Sequence, residues 1–227
     1  MTPVRLHILA EGQTEENFVN NVLRDHLSLH GIATSVSCIS QKPGARSRTN
    51  KGGWNDYAVA RESIYRFWRE SGGADCWFTT MVDLYRIPAN FPGIDVPSAM
   101  SDCYERVSAL ENAFEADIRT DGLWRFIPYI QLHEFEALIF ADPARLDSRF
   151  PVHDEAIKGL MALSKAERPE AIDRDNPPSK RLIAAIPEYG DRKAHAGPLV
   201  AGKIGLDMLR QRCPHFGQWL ARLEALA

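Results

Sequence analysis

The chain has 227 residues, of which 44% are hydrophobic and 25% charged, enough to bury one large core without staples. A net charge of −3 excludes a uniformly basic nucleic-acid coat, so any phosphate binding must come from local patches. Cys38, Cys76, Cys103 and Cys213 lie far apart with no CxxC pair, which argues against a thiolate zinc site or a disulfide framework and for a reduced, cytoplasmic protein.

The apolar stretch Val4 to Ala10 is too short for a signal peptide and reads as a buried strand; nothing later is long and apolar enough to span a membrane. Thr14 is the expected cap of a helix with Glu15 and Glu16 in its first turn. Phe18, Val19, Val22, Leu23, Leu27 and Leu29 recur with helical period up to Gly31. Ile32 to Ile39 alternates as a second strand. The loop from Gln41 to Gly53 carries Lys42, Arg46, Arg48 and Lys51 without an acid, as a clamp on a nucleic-acid backbone would. Solvation alone also accounts for it. Tyr57 to Trp68 marks a helix, with core packing expected of Trp54 and Tyr57. Asp75 to Val82 is a strand-type run delivering Asp83. A Pro- and Gly-rich loop leads to a helix from about Ser98. Arg125 to Leu132 is the fourth strand, and His133 to Phe140 begins another helix. Beyond Asp142 the pattern is short helices, several opening on proline.

Strands alternating with helices predict an α/β fold with a mostly parallel four-stranded sheet. Residues 1–142 form its core, and residues 143–227 form a helical extension packed on it as one structural unit. In such sheets, sites form beyond the carboxyl ends of the strands. Glu11 and Glu15 follow the first strand, Asp83 the third, and His133, Glu134 and Glu136 the fourth. Crowded carboxylates repel one another. Mg²⁺ or Mn²⁺, which take oxygen ligands, relieve that repulsion. Two such ions can hold the attacking and leaving oxygens of a phosphodiester in line.

Each position also has a structural reading. Glu15 complements a helix N-terminus equally well, and Asp83 can cap a loop. Glu134 and Glu136, two apart, do not share a helical face, so one of them is expected to be solvated or paired with an arginine. His133 is the one histidine adjacent to these acids, as a ligand, a base or a partner of a ligand. No P-loop or GxGxxG occurs, so the chain is not expected to hydrolyse ATP by itself.

The order strand, Glu11-Gly12-Gln13-Thr14-Glu15, helix, then strand and Asp83, resembles the Toprim fold, in particular that of OLD-type nucleases. The resemblance implies metal roles for Glu11, Glu15 and Asp83. The family's second aspartate is replaced by Tyr85, and Glu134 or Glu136 is implied as the substitute. The resemblance also implies a lysine from the C-terminal part, for which Lys180 in Ser179-Lys180-Arg181 is the candidate. A solvated helix start explains Lys180 and Arg181 equally. Together with Arg192, Lys193, His195 and Lys203 they are expected to line one side of the cleft.

Longer segments, among them Met81-Val82-Asp83-Leu84-Tyr85, Ile130 to Leu138 and Cys213-Pro214-His215-Phe216, resemble a prokaryotic Toprim-related family, DUF4276-like. Its members are often encoded beside an ATPase in phage-defence cassettes. The resemblance implies a Mg²⁺- or Mn²⁺-dependent nuclease acting on DNA or RNA, with an ATPase partner. Tyr85 keeps open a non-catalytic partner that binds an ATPase or nucleic acid on the same scaffold. A phosphotransfer or nucleotidyl-processing enzyme with the same metal site is the third reading.

Overall fold

The computed structural model describes residues 3–39, 54, 56–70, 76–95, 102–172 and 175–227. The chain opens with β1 (Val4–Ala10), whose Leu6, Ile8 and Ala10 are fully buried. A helix in three pieces follows: α1 (Gln13–Phe18), a π-helical turn over Val19–Leu23, and α2 (Arg24–Leu29). Thr14 is not its cap. The N-cap is Gly12, two residues closer to the strand, and its N–H donates to Glu15 Oε2 at 2.9 Å. Gly31 then turns the chain with φ 73, a left-handed conformation suited to glycine, and leads into β2 (Ile32–Cys38).

Next come α3 (Tyr57–Glu70), β3 (Cys76–Asp83) and α4 (Cys103–Thr120). α4 starts later than the apolar spacing suggests because Asp102 caps it, accepting the Tyr104 N–H at 2.9 Å. The expected fourth strand divides into β4 (Phe126–Ile127) and β5 (Ile130–Gln131). Pro128, with no N–H, sits at the break. Across it, the Thr80 hydroxyl of β3 accepts from Tyr129 N at 3.0 Å and donates to Tyr129 O at 2.9 Å.

The strands lie in the order β2-β1-β3-β4, with β5 also pairing β3, and every pairing is parallel. The mostly parallel α/β sheet read from the sequence is therefore present. After 3-10 helices at Phe135–Ala141 and Pro143–Ser148 come α5 (Asp154–Ala166), α6 (Pro178–Ala185), α7 (Tyr189–Ile204), α8 (Leu206–Arg212) and α9 (Pro214–Glu224).

Side chains alternate across each strand, and both faces of the sheet are covered, as parallel sheets require. Leu9, Phe78 and Val82 share a cluster with Tyr57 and Ile64 of α3, Phe114 of α4, and Phe91 between β3 and α4. Trp54 and Tyr57 belong to this core and are not a base-stacking surface. On the other face, Leu6, Ile8 and Met81 share one cluster with Phe18 and Leu27 and with Leu182, Val200, Phe216 and Leu223 of the last helices. Trp219 of α9 donates its indole N–H to Thr79 Oγ1 of β3 at 2.9 Å. The helices after residue 142 thus complete the core of the sheet.

Candidate metal centre

Parallel pairing puts the carboxyl ends of β1, β3 and β5 at one edge. Ala10 is level with Met81, and Asp83 with Gln131. The ladder runs one bond further, from Glu11 N to Met81 O at 2.9 Å. The Glu11 side chain then turns across the strand end, and its Oε2 accepts the Asp83 N–H at 2.9 Å. A second backbone bond, Tyr85 N to His133 O at 2.9 Å, ties the turn after β3 to the residue before Glu134. His133 holds φ 63, a left-handed conformation uncommon for a residue with a Cβ. That bend reverses the chain after β5.

Glu134 and Glu136 do not divide into one inward and one solvated residue, because Glu134 is not helical. It has extended dihedrals and precedes the 3-10 turn that contains Glu136. Glu134 Oε2 accepts the Ser179 N–H at the start of α6 at 3.0 Å. Glu136 is 2% exposed. Its Oε1 accepts from the Tyr189 hydroxyl at 3.3 Å and stands 4.0 Å from Lys193 Nζ.

The five acids share one electrostatic environment. Burial is the largest influence on Asp83, followed by Glu11, Glu15, Glu136 and Glu134, and together they hold its carboxyl well above the usual range. Burial and the Glu11 charge push Glu15 up to about 8. Glu11 is raised by burial against the pull of the Asp83 N–H, Arg86 and Lys193. Glu136 is raised mainly by burial, with Lys193 opposing. Glu15 closes the helix start at Gly12 and also acts electrostatically on Asp83.

Among the described residues, the cations that act on Glu11 are Arg86, just past β3, and Lys193 on α7. Lys180 is exposed and forms no ion pair among the described residues. Arg181 is held elsewhere, donating to Asn176 O at 2.7 Å and standing 3.5 Å from Glu167. Of the basic residues expected along the cleft, Lys193 is the one placed against a carboxylate of the cluster. It is positioned from a distance: Asn17 Nδ2 on α1 donates to Ala194 O at 2.9 Å. No local motif marks Lys193, Arg86 or Tyr189, and only the docking of α7 on α1 brings two of them to the strand ends. Lys42, Arg46, Arg48 and Lys51 lie outside the described residues.

This donor set is all oxygen and suits a hard divalent cation. One observation favours such an ion: Asp83 Oδ1 is buried without a hydrogen-bond partner among the described residues, a costly state for a carboxylate oxygen. Among the described residues, the one trio of His, Cys, Asp or Glu donors within 4.8 Å of one another is His26, His30 and Glu224. No three of the strand-end carboxylates meet that spacing among the described residues.

Residues 10–224 match the model of a domain of unknown function, DUF4276. The chain belongs to the DUF4276 family. No curated protein matches the chain significantly. Among solved structures, this DUF4276 chain is similar to the C-terminal region of the Burkholderia pseudomallei OLD protein, with 14% identity over 98% of each chain and a TM-score of 0.44. That likeness is too distant to bear on chemistry. Among the described residues, no helix of the DUF4276 chain is long and apolar enough to cross a membrane.

Proposed function

We propose that this DUF4276 protein is a divalent-metal-dependent phosphodiesterase acting on nucleic acid. The observation that carries the reading is the gathering of Glu11, Glu15, Asp83, Glu134 and Glu136 at one sheet edge against two nearby cations. Buried like charges are tolerated when a counter-charge is expected at the site. A phosphodiester is the substrate class that couples such an ion to hydrolysis.

In this reading Glu11, Asp83 and Glu134 hold Mg²⁺ or Mn²⁺, with Glu136 behind them. The metal, when bound, polarises the phosphoryl oxygens and lowers the pKa of a coordinated water. Glu11 is fixed by the Asp83 N–H, which would leave its other oxygen to hold the ion. Glu15, whose Oε2 accepts the Gly12 N–H, holds the turn that follows Glu11. Lys193 offers positive charge to an anionic transition state, and Tyr189 keeps Glu136 in place. Tyr85, 43% exposed, occupies the position after β3 where a second acid was expected. The fourth-strand glutamates take over that role.

Nucleic acid and, from the family resemblance, an ATPase are the partners of this reading, in the cytoplasm and within a phage-defence setting. The test is hydrolysis of single- and double-stranded DNA and RNA with Mg²⁺ or Mn²⁺. EDTA and Glu11→Ala should each abolish cleavage while the fold remains. Cleavage that persists in EDTA sinks the mechanism. Folded protein that binds neither metal at millimolar concentration favours a non-catalytic scaffold for the ATPase or nucleic acid.

A further inference from the structure

Away from the strand ends, α2 and α9 bring two imidazoles and a carboxylate together. His26 and His30 are four residues apart on α2 and its C-cap, so they share a face. Glu224 ends α9. His26 Nε2 lies 2.6 Å from Glu224 Oε1, and His30 Nε2 lies 3.9 Å from the same oxygen. The two rings are 4.9 Å apart. Side-chain exposures of 25% for His26, 40% for His30 and 15% for Glu224 leave an approach open on the His30 side. From the other side Arg210 grips Glu224, with Nη1 to Oε2 at 3.0 Å and Nη2 to Oε1 at 2.5 Å. Asp207 offsets part of the Arg210 charge.

We propose that His26, His30 and Glu224 form a binding site for Zn²⁺ that clasps α9 to α2. Two imidazole nitrogens and one carboxylate oxygen are a donor set that zinc accepts, with water in the fourth position. Donors on a tetrahedral shell with bonds of about 2.0–2.1 Å stand about 3.3 Å apart. The two separations to Glu224 Oε1 straddle that spacing, and all three ligand atoms lie within 4.8 Å of one another, so side-chain rotation brings them onto one shell. The metal takes the place of the proton that His26 and Glu224 share. His26 then carries its hydrogen on Nδ1 and leaves Nε2 free to ligate. Zn²⁺ on Oε1 displaces Arg210 Nη2 from that oxygen, while Nη1, 3.0 Å from Oε2, continues to orient the carboxylate. Nitrogen donors disfavour Mg²⁺, so this site and the strand-end carboxylates select different ions. The proposal stands independently of the phosphodiesterase reading.

The test uses the full chain, stripped with EDTA and desalted, titrated with ZnCl₂ near neutral pH by calorimetry. Co²⁺ absorption reports the geometry. One equivalent should bind at micromolar concentration or tighter. His26→Ala and the milder His30→Gln should each remove that equivalent with unchanged circular dichroism, and Glu11→Ala should retain it. At a free Zn²⁺ concentration about 100 times Kd, Tm should rise by about 5–10 °C in the parent chain and not in the histidine variants. Absence of binding by the parent chain overturns the proposal. So does an equivalent that survives both histidine substitutions, or one lost in Glu11→Ala, which would move the zinc to the strand ends.

Discussion

Glu11 Oε2 accepts the backbone N–H of Asp83 across 2.9 Å, joining the ends of two parallel strands at their carboxyl edge. The bond orients one acid by means of the chain that carries the next. Glu11→Gln keeps the acceptor and removes the charge. Cleavage should fall by at least about 100-fold, the scale of losing one group that stabilises a transition state. The metal-free variant should be more stable than the parent near pH 8, by on the order of 1 kcal/mol, because one like charge is gone. Denaturant titration in EDTA checks the second half. A less stable variant would mean that repulsion is not the dominant cost at this edge.

The acids also set a pH dependence. Burial, then like charge, raises Glu15 to about 8 and lifts Asp83, Glu11 and Glu136. The folded state therefore binds more protons than the unfolded chain between about pH 4.5 and 8. The stability from these groups is complete below the unfolded values and is lost as pH rises through the folded ones. In EDTA the protein should lose on the order of a few kcal/mol between pH 5 and 8, and saturating Mg²⁺ should return much of it. A flat profile in EDTA would remove the electrostatic argument.

Lys193 and Lys180 give a direct contrast. Lys193 faces Glu136 at 4.0 Å, whereas Lys180 is exposed with no ion pair among the described residues. Lys193→Ala should reduce cleavage on the order of 100-fold, and Lys180→Ala by far less. Steady-state rates at saturating metal separate the two. Equal losses would return Lys180 to the site.

Gly197 on α7 leaves room for the Tyr189 hydroxyl that holds Glu136. A Cβ there would lie 2.9 Å from that oxygen and 3.3 Å from Phe135 Cε1. Gly197→Ala should cost about 1–3 kcal/mol by overpacking and weaken metal binding together with stability. Unchanged melting would show that α7 shifts freely, which the docked Asn17 contradicts.

Glu170 is fully buried and accepts the N–H groups of His215 and Phe216, each at 3.0 Å, at the start of α9. Glu170→Ala leaves two donors without an acceptor and should cost at least about 2 kcal/mol. Metal affinity per folded molecule should be unaffected. Guanidinium unfolding and metal titration of one preparation measure both.

The strands and the acids after them were readable because burial and period two are local signals, and a parallel sheet converts sequence order into a shared edge. The division of the fourth strand was marked by Pro128. Its repair by the Thr80 hydroxyl was not marked, since that partner lies 49 positions away. The joint arrival of Glu134 and Glu136 was hidden for another reason. Helical spacing forbids it, and the left-handed His133 with an extended Glu134 evades that rule. Lys193 was expected along the cleft only as one of several basic residues, and what separates it from them is the docking of α7 against α1.

The cluster that contains Leu6 of β1 also contains Leu223 of α9, both fully buried. A chain stopped before α9 would therefore leave this face of β1 only partly covered, by Phe18, Val19, Leu23 and Leu27, and prone to association.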